Sequence, residues 1–312
     1  MSLRLRPSVL LVLSFYSVFA AAPPAPLELR SGDRVVFLGD RMIEGEQYQG
    51  WVELMLTSRF ADRTVTFRNL GWNGDTPAGD ARFGLSLLQA GKEPADEGWK
   101  GLVQQLEEAK PTVVFVGYGM ASSFDGAAGV AKFKADYNRV LDTIERVSPG
   151  ARLILLSPLR HENLGAPWPD PAAHNSKLAL YAAAVGEIAA ARRVRFVPLF
   201  DLLPARSGGV AGVADPGPAS ARPATSAVRL TDNGIQPSPH GYRIIAGLIE
   251  DQLFGDTRRG AWRTSLQAEP LRQAILRKNE WFFHRSRPAN MAYIFGFRKR
   301  EQGRNATEVL KF

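Results

Sequence analysis

The sequence predicts an α/β fold in which helices cover both faces of a parallel sheet. Five short runs of β-branched and apolar residues alternate with segments of helical periodicity, and this alternation is typical of parallel sheets. Each run ends near glycine, aspartate, asparagine, serine or proline, which are residues that end strands. The predicted strands are residues 34–38, 64–67, 112–116, 152–156 and 194–197.

Helices are predicted between and after these strands. Apolar residues recur at spacings of three and four from Val130 to Ile144, and Pro149-Gly150 ends that helix. Residues 176–192 predict an alanine-rich helix, and residues 261–283 predict a third helix beyond the sheet. Residues 204–227 are rich in Gly, Pro, Ala and Ser, so a long loop is expected there.

Composition excludes several kinds of chemistry. The 312 residues include no cysteine, so a disulfide, a thiol nucleophile, a thiolate zinc site and a cysteine lipid anchor are all excluded. The net charge of +8 lies in residues 256–312, where 13 basic residues face 5 acidic ones, and the rest of the chain has 26 of each. A neutral body with a basic tail does not predict nucleic-acid binding.

The first 20 residues predict export. Arg4 and Arg6 precede an apolar run at residues 9–19, and small residues follow at positions 20–22, which together describe a signal peptide. The alternatives are an uncleaved anchor or a disordered start. No other segment reaches transmembrane length. We therefore expect a periplasmic or extracellular bacterial protein that makes no contact with nucleic acid.

Four blocks follow predicted strands or close the sheet domain, at the edge where α/β proteins bind ligands. They are Gly39-Asp40-Arg41 with the residues after it, Asn69-Leu70-Gly71-Trp72-Asn73-Gly74, Gly117-Tyr118-Gly119-Met120-Ala121, and Thr231-Asp232-Asn233-Gly234-Ile235-Gln236. In this order and spacing they resemble the SGNH (GDSL-type) hydrolases. The resemblance covers residues 27–255 and implies a three-layer, flavodoxin-like α/β/α domain, followed by a basic and aromatic extension at residues 256–312.

The resemblance implies an ester hydrolase acting on acyl or acetyl esters of carbohydrate type. Its mechanism uses a serine nucleophile, a glycine N–H and an asparagine as oxyanion donors, and an aspartate–histidine pair as base. The equivalent positions here hold Arg41, Gly74, Ala121, Asn233 and Gln236. Arginine stays protonated and has no lone pair to attack with, and losing one oxyanion donor alone costs about 10²–10³ in turnover. The usual mechanism is therefore predicted to be lost.

Replacement residues lie nearby. His240 is a candidate base or a surface histidine at a helix start, and Asp40 and Asp232 flank the site as candidate carboxylates. Asp40 and Asp75 also fit structural turns. Arg41 predicts either an anion pocket for an acidic glycan or an ion pair with Asp40, Glu44 or Asp232.

The loop after the fourth strand supplies candidate ligand contacts. They are His161, Glu162, His174 and Asn175, with Asp170 between them. Helix capping and loop hydrogen bonds explain the same residues. Their spacing fits no tight metal motif, so we expect no metal and no cofactor.

Two functions follow. One is an SGNH-type esterase. The alternative is a non-catalytic glycan-binding, anion-binding or scaffold module of the bacterial envelope. The expected ligand is a small ester or carbohydrate, and the extension either packs on the sheet domain or contacts an envelope protein or anionic surface.

Overall fold

The computed structural model describes residues 26–82, 96–203, 229–255 and 260–286. The predicted signal peptide at residues 1–20, the predicted loop at 204–227 and the tail beyond residue 286 lie outside these ranges. Within the described residues, no helix combines the length and the apolar character needed to cross a membrane.

Five parallel strands form the sheet in the order β2-β1-β3-β4-β5. The strands are β1 (Arg34–Gly39), β2 (Thr66–Asn69), β3 (Val113–Gly117), β4 (Arg152–Leu156) and β5 (Arg195–Val197). The predicted strands are confirmed. The bounds of β4 agree, β1 ends and β5 begins one residue later than predicted, and β2 and β3 are shifted by two residues and one residue along the chain.

The helices that accompany the sheet are, in chain order, α1 (Arg41–Gln49), α2 (Trp51–Arg59), α3 (Glu97–Ala109), α4 (Gly126–Val147), α5 (Ala172–Arg192), α6 (Leu199–Leu202), α7 (Pro239–Phe254) and α8 (Ala268–Ser286). The predicted helices at 130–144 and 176–192 are confirmed within α4 and α5. We did not predict α3, whose buried face consists of Leu102 and Leu106.

Strand side chains alternate between two cores, one on each face of the sheet. Val35 and Phe37 of β1 face a core that includes residues of α1, α2, α7 and α8, whereas Val36 and Leu38 face a core that includes residues of α3, α4 and α5. This period of two follows from strand geometry, and both faces are buried because helices cover them. The predicted three-layer α/β/α architecture is confirmed.

The predicted helix at residues 261–283 is wrong in its first part. A 3₁₀ turn covers Ala261–Arg263, and α8 begins only at Ala268. The chain turns here because Trp262 is buried and its Nε1 donates to Glu250 at 3.1 Å, while Arg263 pairs with the same carboxylate at 2.8 Å. These two bonds tie the start of the extension to α7.

Helix α8 packs on the sheet domain. Ile275 belongs to the same core as β1, and Lys278 donates two hydrogen bonds to the buried Glu53 of α2 at 2.6 and 2.7 Å. The Arg68 guanidinium carbon lies over the Phe282 ring, 5.0 Å from the ring centroid. The neighbouring Trp281 is 52 % exposed. The described part of the extension therefore shares a core with the sheet.

Candidate functional site

The first block is compact because strand and helix meet there without a side chain between them. A Cβ on Gly39 would lie 2.1 Å from the Gly117 carbonyl oxygen, so only glycine fits where β1 runs beside β3. Asp40 follows as the N-cap of α1. Its carboxylate accepts hydrogen bonds from the backbone N–H of Met42 at 3.4 Å and of Met120 at 3.1 Å. This carboxylate therefore joins the ends of β1 and β3.

Burial sets the electrostatics of Asp40. The residue is 3 % exposed, and loss of hydration raises its pKa to about 7, although the Met120 and Met42 amides oppose the shift. A carboxyl group enclosed in this way holds backbone rather than facing a ligand, which agrees with the turn role considered for it from the sequence.

Arg41 is the first residue of α1, and its side chain is about one third exposed. Its Nη1 donates to the Glu44 carboxylate at 3.0 Å, one helical turn further on. Of the interactions considered from the sequence, the ion pair with Glu44 is the one that forms. A guanidinium paired within its own helix thus stands at the position predicted to match the family's nucleophile.

The second block ends in a buried ion pair that the sequence did not reveal. Gly74 has a φ of 73°, which favours glycine, and the described residues leave open space beside its Cα. Asp75 is buried and accepts a hydrogen bond from Arg82 Nε at 2.7 Å, and Arg82 also reaches the Leu70 carbonyl oxygen at 2.8 Å. Asp75 therefore fixes the loop after β2. Seven residues separate the partners in the chain, and no motif marks Arg82 as its partner.

The third block leads into a second polar chain. After Gly119 and Met120, the 3₁₀ turn Ser122–Asp125 places Ser123 under the sheet edge, fully buried. Its hydroxyl donates to the Met120 carbonyl oxygen at 2.7 Å and lies 2.9 Å from His174 Nε2. Ala121, predicted to match the family's asparagine, has no side-chain donor. Ser123 was not among the predicted site residues, because one serine of a Ser-Ser pair in a turn carries no sequence signal.

His174 continues the chain to His161. The two Nδ1 atoms are 3.0 Å apart, so a single proton lies between them. Burial lowers the pKa of both imidazoles, and the neighbouring His161 and Lys177 lower that of His174 further. His161 and His174, both candidate ligand contacts from the sequence, therefore form a pair in which burial disfavours the charged form.

Asn175 and Glu162 hold this arrangement. Asn175 clamps the backbone of His161, accepting from its N–H at 2.9 Å and donating to its C=O at 2.8 Å. The buried Glu162 accepts from the N–H of Thr231 at 2.8 Å and from that of Leu230 at 3.1 Å. Both were predicted to contact a ligand. In the structure, the Asn175 amide and the Glu162 carboxylate form hydrogen bonds with backbone groups. These bonds position His161 and the fourth block.

The fourth block lies against His161. A Cβ on Gly234 would come within 2.5 Å of His161 Nε2, so the loop backbone touches the imidazole. Asn233 Oδ1 accepts from the N–H groups of Ile235 and Gln236, at 3.1 and 2.8 Å, and Asp232 is exposed. Asn233 therefore folds its own loop: its bond to position 236 is to the backbone N–H, whereas the aspartate that it is predicted to replace would bond to the histidine side chain.

His240 lies in the first turn of α7, which the Ser238 hydroxyl caps by accepting from Gly241 N–H at 3.1 Å. The helix packs on α1, where Tyr242 donates its hydroxyl proton to the Met42 carbonyl oxygen at 3.1 Å.

The third and fourth blocks are joined through the two histidines, and Asp40 joins the first block to the third. Asp170 accepts from Ala172 N–H at 3.0 Å at the start of α5, which is a helix-start bond rather than a ligand contact.

The chemistry available at this edge is limited. Position 41 has no hydroxyl, and the buried Ser123 hydroxyl is engaged by Met120. Among the residues that the structure describes, no group of three His, Asp or Glu side chains is placed to hold a metal ion. What remains is a preformed edge of glycine turns, two neutral imidazoles and the polar 231–236 loop.

This fold and these blocks define a recognised family. The sequence profile of the GDSL-like Lipase/Acylhydrolase family matches residues 37–244, two thirds of the chain. The protein therefore belongs to the GDSL-like lipase/acylhydrolase family. No curated protein matches the chain significantly.

Solved structures with a similar chain path are distant in sequence. A gut microbial diltiazem-metabolizing enzyme shares 18 % identity over 74 % of this chain and 48 % of its own, with a TM-score of 0.48. An acetylxylan esterase variant from Geobacillus stearothermophilus shares 15 % over 73 % and 97 %, with a TM-score of 0.48. The lipase/acylhydrolase from Enterococcus faecalis shares 19 % over 70 % and 95 %, with a TM-score of 0.45.

Proposed function

We propose that the protein is a non-hydrolytic member of the GDSL-like family that binds carbohydrate-type ligands, including their esters, at the carboxyl edge of the sheet. The observation that carries this proposal is position 41. A guanidinium paired with Glu44 at 3.0 Å stands where the family mechanism needs a serine hydroxyl. Ala121 and Gln236 supply neither the asparagine donor nor the histidine base.

The competing function is an acyl or acetyl esterase that uses different residues. Ser123 with His174 is the nearest hydroxyl–imidazole pair, at 2.9 Å, but Ser123 is fully buried and cannot meet an ester carbonyl. Asp40, considered as a base for water, is enclosed and accepts two backbone N–H bonds. These two facts favour binding without hydrolysis.

The ligand class follows from the charges at the edge. Glu44 neutralises Arg41, and burial disfavours the charged form of both histidines, so these three side chains offer an acidic glycan little net positive charge. We therefore favour a neutral oligosaccharide. We place this binding in the bacterial envelope, because export is predicted from residues 1–20, and we propose the extension as its contact with an envelope protein or anionic surface.

The test combines binding and product analysis. Purified protein is titrated with acetylated xylo-oligosaccharides by calorimetry. The ligand is then recovered, and its mass is measured by mass spectrometry to count the acetyl groups that it retains. Saturable binding with every acetyl group retained supports the proposal. Catalytic loss of acetyl groups, or absence of binding, contradicts it.

A further inference from the structure

One aromatic side chain at the ligand edge is held open to solvent. Phe124 lies in the 3₁₀ turn after β3, and 62 % of its surface is exposed. Its ring stacks on the His174 imidazole, with centroids 4.7 Å apart and planes inclined by 23°. An apolar ring gains free energy when a ligand covers it, and this ring stands after β3, at the edge where α/β proteins bind ligands.

The stack is fixed from behind. His174 is held at one nitrogen by Ser123 and at the other by His161, at 2.9 and 3.0 Å. Asn175 clamps the backbone of His161 by two further bonds. Because these side chains are already held in place, a ligand that stacks on Phe124 does not need to order them. Part of the entropy cost of binding is thereby avoided.

The surroundings select the partner. Burial lowers the pKa of His161 and His174, and His161 and the Lys177 ammonium lower that of His174 further, so Phe124 stacks on an uncharged imidazole. The Phe124 ring centroid lies 4.7 Å from that of His174, which lies 5.2 Å from that of His161. His161 in turn contacts the polar loop at Gly234. A flat apolar face beside exposed polar groups such as Asp232 and Asn233 matches a pyranose ring, which has C–H groups on its face and hydroxyls at its rim.

We propose that Phe124, backed by His174, is a stacking subsite for a neutral pyranose ring of the bound oligosaccharide. This rests on the proposed binding function and adds the residue and the part of the ligand it recognises. An acyl ester without a sugar ring would not use this subsite.

The experiment separates sugar recognition from acyl recognition. Dissociation constants are measured for acetylated xylo-oligosaccharides and for glycerol triacetate with the wild type and with Phe124→Ala, Phe124→Leu and Phe124→Trp. Trp281→Ala is the matched control, because Trp281 is also exposed but lies on α8, which packs on α1, α2 and β2. The ¹H resonances of the His174 imidazole are followed during each titration, since a sugar stacked on Phe124 changes their environment.

The subsite predicts that Phe124→Ala and Phe124→Leu weaken oligosaccharide binding about tenfold, that Phe124→Trp keeps it, and that glycerol triacetate is unaffected. The His174 resonances should shift with the sugar only. If Phe124→Ala binds the oligosaccharide as tightly as the wild type does, the subsite is overturned but the proposed binding function is not. If the wild type binds neither probe, both are overturned.

Discussion

At the scale of single residues, Asp40 is a buried carboxyl group at the candidate site whose pKa is strongly raised by its environment. Its folded-state pKa of about 7 lies above the ordinary aspartate pKa of 3.8, so the folded protein binds this proton more tightly than the unfolded chain. The associated stability is present below pH 3.8 and is lost as the pH rises toward 7.

Replacing Asp40 by asparagine tests this directly. The amide keeps an acceptor for the Met42 and Met120 N–H groups but cannot ionise. Between pH 4 and pH 8, the free energy of unfolding of the wild type should fall by roughly 3 kcal/mol relative to that of Asp40→Asn, as measured by urea denaturation. Parallel pH curves for the two proteins would show that Asp40 is not held protonated.

The two histidines respond to pH in the opposite direction. Their pKa values are lowered in the folded state, so the stability of the neutral pair is present above pH 6.5 and is lost as the pH falls below it. Because the Nδ1 atoms share one proton, a second proton breaks the contact between them.

NMR titration of the imidazoles should accordingly give apparent midpoints below 6.5 for the pair. In His174→Gln, unfolding followed from pH 7 to pH 5 should show a smaller acid-induced loss of stability than in the wild type. Midpoints at or above 6.5 would mean that the pair is open to solvent.

At the scale of elements, α8 stands out because a buried charge fastens it. Glu53 of α2 is buried, and its partner Lys278 comes from the extension, 225 positions later in the chain. Removing one member of such a pair costs more than removing both, because the remaining charge stays buried.

We expect Lys278→Met to lower the free energy of unfolding by about 2 kcal/mol, and Glu53→Gln in the same chain to restore most of the loss. Lys132→Met is the control. It breaks the exposed contact with Asp136 and should cost less than about 0.5 kcal/mol in the same denaturation experiment. Equal effects of the two lysine substitutions would contradict a fastening role for Lys278.

At the scale of the whole molecule, the extension and the sheet share one core. Trp262 and Ile275 lie in the cluster that contains Val35 and Phe37 of β1, and Glu250 of α7 binds both Arg59 and Arg263. Elements joined by a common core open together.

Native-state hydrogen exchange should therefore give amides of α8 that open with the same free energy as those of β1 and β3. Exchange of α8 several kcal/mol below the strands would instead describe a separate, loosely docked appendage. The measurement uses the intact protein and needs no substitution.

The elements were predictable where local pattern decides them. The strands and α4 and α5 follow from apolar periodicity, and glycine and proline mark their ends. The break between the 3₁₀ turn and α8 was not predictable, because it depends on Trp262 and Arg263 reaching Glu250 across the fold. The apolar periodicity within residues 261–283 does not indicate that Trp262 and Arg263 bind Glu250.

The candidate site divides in the same way. Strand-end blocks could be found from the sequence because glycine turns recur at fixed offsets. The Ser123–His174–His161 chain could not, since it joins three loops, and neither could the Asp75–Arg82 pair. Glu162 and Asn175 were correctly placed near the site, but their bonds to backbone decide their role, and only the structure shows those bonds.

The central claim is that the family's serine chemistry is lost at this edge, and one assay tests it most directly. Hydrolysis of small acetyl esters and acetylated sugars, together with covalent labelling by a fluorophosphonate, is measured for the wild type and for the variant carrying Arg41→Ser, Ala121→Asn, Asn233→Asp and Gln236→His. We predict that the wild type neither turns over nor is labelled, and that any activity or labelling appears only in the variant, at position 41. Turnover by the wild type, or its labelling at Ser123, would contradict the account.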